Sequence, residues 1–153
     1  MSDPFAFTAS TPRFTLPLLF VGQSQKEIFV NESLSRLDSL THCAIEAVAA
    51  EPPASPAEVS GWLIADEASG EWTGQSGKLA FFQSGQWLFI DPKDGMQVHD
   101  LSASQDIRRI GGQWVASPAP TIPDGGSTID SEARQVLGTL IDRLRQAGIL
   151  GPS

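Results

Sequence analysis

Two proline-rich breaks, EPPASPAE at residues 51–58 and SPAPTIPDGGST at 117–128, constrain this chain to an α+β organisation, because neither can continue a helix or an inner strand. Between them run short apolar segments separated by glycine turns. Four Gly and Trp pairings recur there: SGWLIA at 60–65, SGEWTG at 69–74, SGQWLFI at 84–90 and GGQWVAS at 111–117. Intervals of 15 and 27 residues between Trp72, Trp87 and Trp114 fit successive hairpins better than a fixed-period solenoid. The runs 79–83 and 86–90 flank Ser84-Gly85 as a hairpin would. DPKDG at 91–95 supplies the next turn, with Pro92 fixing φ and Gly95 taking a positive one. Further strands are expected at 96–101, 107–110 and after Gly111-Gly112, making a small antiparallel module over 51–117.

Helical patterns flank this module. Residues 16–38, LPLLFVGQSQKEIFVNESLSRLD, set polar groups with no catalytic logic at close spacing among apolar ones. A helix is expected from near Ser24 to about Leu40, started by a Ser24/Glu27 capping box. Val30, Leu34, Leu37 and Thr41, with Phe29, Ser33 and Leu40 beside them, form a stripe that must pack on something. The polar positions Gln23, Gln25, Lys26, Glu27, Asn31 and Arg36 read as an assembly array, expected to bond between subunits. Residues 1–15, with Phe5, Phe7 and Phe14, form an extended arm before the helical segment 16–50, whose last residues, CAIEAVAA at 43–50, are expected as strand.

After the 118–128 linker, segment 129–153 carries a helix over about 131–147 with Asp130 as N-cap. Ala133, Leu137, Leu140, Leu144 and Ala147 follow a 4, 3, 4, 3 seam like that of a coiled coil, and Gly148-Ile149 matches a Schellman stop. Such a helix is marginal alone. Leu137, Leu140 and Leu144 are therefore expected to pack on the chain's own body or on copies of themselves.

The chain's 153 residues suit one typical domain, or a small domain with arms. A net charge of −8 with only 10 scattered basic residues opposes a sequence-independent grip on nucleic acid, which needs clustered Lys and Arg. No apolar run approaches the ~20 residues of a membrane span, so no membrane insertion is expected. The N-terminus lacks the basic start and apolar centre of a secretion signal, so a product that leaves the cell is expected to leave by another route, such as lysis. The lone Cys43 makes no intrachain disulfide and reads as a buried structural thiol.

No catalytic residue, metal ligand set or cofactor motif emerges. His42 and His99 lack partners at metal spacing, and no G-x-S-x-G elbow or phosphate loop is present. Asp66, Glu67, Glu71, Asp91, Asp94 and Asp100 cluster in the β region and read as turn formers. Trp72, Trp87 and Trp114 either fill the core or form a stacking platform for sugar rings.

Leu16-Pro17-Leu18-Leu19, Gly22-Gln23-x-Gln25-Lys26-Glu27, Asn31-Glu32, Leu34 and Arg36-Leu37-Asp38 resemble the opening signature of the DUF2793 family. Pro52-Pro53-x-Ser55-Pro56, Gly70-x-Trp72, Gly85-x-Trp87-x-Phe89, Pro92, Gly95, Gly112-x-Trp114 and the tail Asp130-x-Glu132-Ala133-Arg134 continue it in order. Ser60-Gly61-Trp62-Leu63 departs from the Gly-Asp that relatives tend to carry. The resemblance implies a non-enzymatic component of a phage-like tail, in prophages or gene transfer agents, made in the cytoplasm and carried on the particle. It further implies a homotrimer, as fibre proteins usually are, with other tail or baseplate proteins and a cell-surface glycan as possible partners. The alternative reading is a stand-alone carbohydrate-binding module, and a more distant one a small envelope hydrolase.

Overall fold

The computed structural model describes residues 9–22, 25–121 and 130–151. The arm residues Phe5 and Phe7, together with Gln23, Ser24 and most of the second proline-rich linker, lie outside them. The described chain forms two helices, α1 (Lys26–Leu40) and α2 (Ser131–Gln146), and eight short strands. These are β1 (Ala44–Ile45), β2 (Ala47–Ala49), β3 (Gly61–Ile64), β4 (Leu79–Gln83), β5 (Gln86–Ile90), β6 (Gln97–Asp100), β7 (Gln105–Ile110) and β8 (Gln113–Ala116). The α+β class holds. The β region comprises two four-stranded sheets, β2-β3-β4-β5 and β1-β6-β7-β8, and the second contains a parallel pair, β1 with β6.

The chain folds as two compact units, one holding the described residues up to Cys43 with Ala49–Asp91, the other Ala44–Val48 with the described residues from Pro92 onward. In the first, β4 and β5 pair in register from Leu79↔Ile90 to Gln83↔Gln86. Ser84 and Gly85 link them with φ of 51° and 75°, the double positive φ of a type I′ turn. The Glu58 carboxylate accepts from both turn amides, at 2.9 and 3.3 Å. The core of this unit is Trp62, Leu63, Ile64, Trp72, Leu79, Ala80, Phe81 and Ile90. Trp72 reaches it from a single 3-10 turn, Gly70–Trp72, where the Gly-x-Trp pattern suggests a hairpin.

The second unit packs Ile45, Val98 and Ile107 with Ile141 of α2 in its core. Gly111 and Gly112 (φ 57° and 79°) turn β7 into β8 as a second type I′ hairpin. Asp130 caps α2 by accepting from Ala133 N–H at 2.8 Å. The helix ends as its sequence indicates: Ile149 N–H donates to Leu144 O and Gly148 N–H to Arg145 O, the paired bonds of a Schellman motif around Gly148 at φ +71°. A side chain at 148 would also meet the His99 ring at 3.4 Å.

Helix α1 reverses the expected orientation. Its buried residues are Glu27, Asp38 and Ser39, whereas Phe29, Val30 and Leu37 of the apolar stripe are exposed and Leu34 is half-buried. Ser24 lies outside the described residues. Gln25 holds the N-cap position in a left-handed conformation, without a side-chain cap. The reason for the inversion lies at the other end. The Asp38 carboxylate, fully buried, accepts from Thr11 Oγ1 (2.6 Å), Arg13 N–H (3.0 Å) and Phe14 N–H (2.8 Å). Residues 9–18 fold into a tight hairpin-like turn around it, closed by Thr11 N–H to Leu16 O and Leu18 N–H to Ala9 O. Arg13 then turns its guanidinium onto the end of α1, donating to the carbonyls of Asp38, Ser39, Thr41 and His42 at 2.7–3.1 Å. These include carbonyls that a helix end leaves unpaired, and α1 has no basic residue of its own in its last turn.

Removing the Asp38 carboxylate strands three donors in a dry site, so Asp38→Ala is expected to lower the unfolding free energy by about 3 kcal/mol. Chemical denaturation followed by tryptophan fluorescence checks this. A loss under about 1 kcal/mol, the net worth of one ordinary hydrogen bond, would show that the clamp is incidental.

Candidate functional site

The N-terminal polar array divides by position. Asn31 forms a reciprocal amide pair with the backbone of Leu19, its Oδ1 accepting from Leu19 N–H at 2.8 Å and its Nδ2 donating to Leu19 O at 3.0 Å. Glu27 accepts from Gly22 N–H at 3.2 Å. Arg36 pairs with Glu32 at 2.8 Å and donates through Nη1 to Phe89 O at 3.1 Å. Gln83 Nε2 reaches Ser39 Oγ at 2.7 Å, and that hydroxyl donates to Ser35 O. Glu27, Asn31 and Arg36 thus fasten α1 to the segment before it and to β5 within one chain. Gln25 and Lys26 are exposed, and Gln23 is outside the described residues.

The tryptophans separate in the same way. Trp62, Trp72 and Trp87 form one aromatic cluster, with centroids 5.0–6.2 Å apart, and Phe82 adds an edge contact to Trp87 at 5.1 Å. Trp72 is fully buried, which corrects its reading as a sugar-stacking residue: a ring with no exposed surface has no face to offer a ligand. Trp114 belongs to the second unit, with the Arg109 guanidinium 5.7 Å from its ring centre. Trp87 lines a groove of about 560 Å³, with Glu32 and Arg36 of α1 and Gln83, Gln86 and Phe89 of β4–β5. Its indole N–H donates to Glu71 at 3.0 Å, which fixes the ring. Planar carboxylate, guanidinium and carboxamide groups beside an indole can hydrogen-bond vicinal hydroxyls and stack on a sugar ring.

The acidic residues mostly hold turns or pairs. Asp100 accepts from Ser102 N–H, Ser102 Oγ and Ala103 N–H; Asp94 accepts from Gly112 N–H; Asp91 pairs with Lys78 at 3.1 Å. His99 Nδ1 lies 2.8 Å from Asp106, whose other oxygen accepts from Gln97. Among the described residues, no group of three or more His, Cys, Asp or Glu is placed to hold a metal ion.

Leu137 and Leu140 of the α2 seam are exposed, Leu140 by 52%, and Leu144 is half-buried. The less exposed residues of α2 are instead Arg134, Gly138, Leu144 and Arg145, half-buried, and Ile141, buried. Thr11 and Arg13 were not legible as site residues. The available signal was Asp38 itself, an acid in the last turn of a helix, where the dipole disfavours it unless donors arrive from elsewhere.

Fold and site define an α+β protein with two four-stranded sheets, a helix clamped by a buried carboxylate, and a polar-aromatic groove. The chain belongs to the family described as Protein of unknown function (DUF2793), which matches residues 30–115, more than half of its length. No curated protein and no solved structure matches it.

Cys43 is buried beside this clamp, and burial pushes its thiol from 9.0 up to about 11, the Arg13 charge opposing in part. The fold therefore favours the protonated thiol. That contribution to stability is complete below about pH 9 and is lost as pH rises through about 11. Wild-type stability is expected to fall more steeply over this range than that of Cys43→Ala, as read from denaturation midpoints; parallel curves would contradict the assignment.

Proposed function

We propose that this chain is a non-catalytic structural subunit of a phage-like tail, a fibre or fibre-attachment protein that assembles as a homotrimer and takes part in adsorption to the host surface. One observation carries the assembly part. In α2 the apolar residues at coiled-coil spacing, Leu137 and Leu140, with Val136 beside them, face away from the unit that holds the helix. A seam of this period is complementary to another helix of the same kind. The likeness of the 16–38 signature to tail-associated proteins supports the setting, in which the subunit is made in the cytoplasm, joins other tail or baseplate proteins on the particle and is released by lysis.

The groove beside Trp87 supports the adsorption part, and it favours the alternative of a stand-alone carbohydrate-binding module as well, since such a module needs no particle. The two readings differ in mass. Light scattering is expected to give roughly three times the 16.3 kDa of one chain, and Leu140→Asp is expected to return the single-chain value. A wild-type protein that stays at 16.3 kDa at every concentration would leave the carbohydrate-binding module as the standing reading. For the groove, Trp87→Ala is expected to abolish retention on host-surface polysaccharide, whereas Trp114→Ala should leave it intact.

A further inference from the structure

The groove beside Trp87 offers free hydrogen-bonding groups, but its positive charge is already spent. Among the described residues that line it, Arg36 is the only base. Arg36 donates from all three of its nitrogens: Nε and Nη2 to Glu32 Oε1, at 3.1 and 2.8 Å, and Nη1 to Phe89 O at 3.1 Å. Both bonds to Glu32 converge on one carboxylate oxygen. Among the described residues nothing bonds the other, Oε2, nor the Ser35 hydroxyl or the Gln86 carboxamide, which also line the groove. Gln83 has given its amide nitrogen to Ser39 Oγ, which leaves its Oε1 to accept. The charged groups bonded to the lining are acidic as well: Glu71 on Trp87 Nε1 at 3.0 Å, and Glu58 on the amides of Ser84 and Gly85.

From this distribution we infer that the groove takes neutral sugar residues and turns away uronic, sialic and phosphorylated ones, with Glu32 setting that selectivity by holding Arg36. The inference rests on the carbohydrate-binding reading above and names the class of glycan which that reading leaves open. A sugar hydroxyl both donates and accepts, so it can give a proton to Glu32 Oε2 or Gln83 Oε1 and take one from Ser35 or Gln86. An ionised carboxylate only accepts. It would meet Glu32 Oε2 and Glu71 with no counter-charge of its own, and Arg36 could answer it only by giving up the pair with Glu32. Glu32 and Arg36 cancel each other, and Glu58 and Glu71 leave the surroundings negative, in keeping with the chain's net charge of −8. Rejection by like charge is an ordinary way for a site to discriminate between ligands of one shape.

Biolayer interferometry of the full chain on immobilised galactan, mannan and dextran, and on polygalacturonate, alginate and polysialic acid, tests this. Wild type should bind a neutral polymer at least roughly tenfold more tightly than any acidic one, the scale of one like charge a few ångströms away near a protein surface. Glu32→Gln frees Arg36 and should narrow that ratio, whereas Glu132→Gln, which removes the same charge from outside the groove lining, should leave it unchanged. Tightest binding on an acidic polymer would overturn the selectivity and leave the carbohydrate reading standing. Binding to none of these polymers would overturn that reading and the inference with it. A neutral preference that a folded Glu32→Gln keeps in full, or that Glu132→Gln narrows equally, would overturn the role of Glu32. If circular dichroism shows Glu32→Gln unfolded, Arg36→Gln decides instead: it keeps the Glu32 charge with no cation beside it, so the neutral preference should widen, and an unchanged or narrowed ratio would overturn the inference.

Discussion

The buried carboxylate of Asp38 is the constraint on which the first unit turns. A dry acid at the end of a helix is tolerable only if donors are brought to it, and the turn at residues 11–14 brings a hydroxyl and two backbone amides. Arg13, placed by that turn, covers the carbonyls that α1 leaves open. Arm and helix are thus one device. The helix must present Asp38, Ser39 and Glu27 inward, and geometry then sends Phe29 and Leu37 outward.

The second unit repeats the arrangement with different residues. Asp106 N–H donates to Gly148 O at 2.6 Å, and its carboxylate holds His99 and Gln97. Gly151 N–H donates to Ser117 O at 3.2 Å, fixing the tail beyond α2. Each helix is therefore fastened near its C-terminal end by polar contacts, while Leu37 of α1 and Leu137 and Leu140 of α2 are exposed. The exposed row of α2 is what the proposed assembly uses.

Much of this is legible in the sequence. Ser84-Gly85 and Gly111-Gly112 announce their hairpins because only residues tolerant of positive φ fit two-residue loops, and both turns form as expected. The Asp130 cap and the Gly148-Ile149 stop are local chemistry, readable without tertiary structure. What failed was direction. Periodicity shows that Val30 and Leu37 share a face with Phe29 beside them, but the direction of that face depends on Arg13 and Thr11, which lie more than 20 residues before the Asp38 they hold. Trp72 shows the same limit: its Gly-x-Trp motif is identical in form to that of Trp87, yet one lies buried on a 3-10 turn and the other lines a groove.

Amide hydrogen exchange across residues 11–18 tests the central claim most directly, because that segment is a free arm unless Asp38 holds it. The account predicts that the Arg13 and Phe14 amides exchange as slowly as those of Leu79–Phe81 in the core of the first unit, and that Asp38→Ala releases them. Exchange of Arg13 and Phe14 at unstructured rates in the wild-type protein would contradict it.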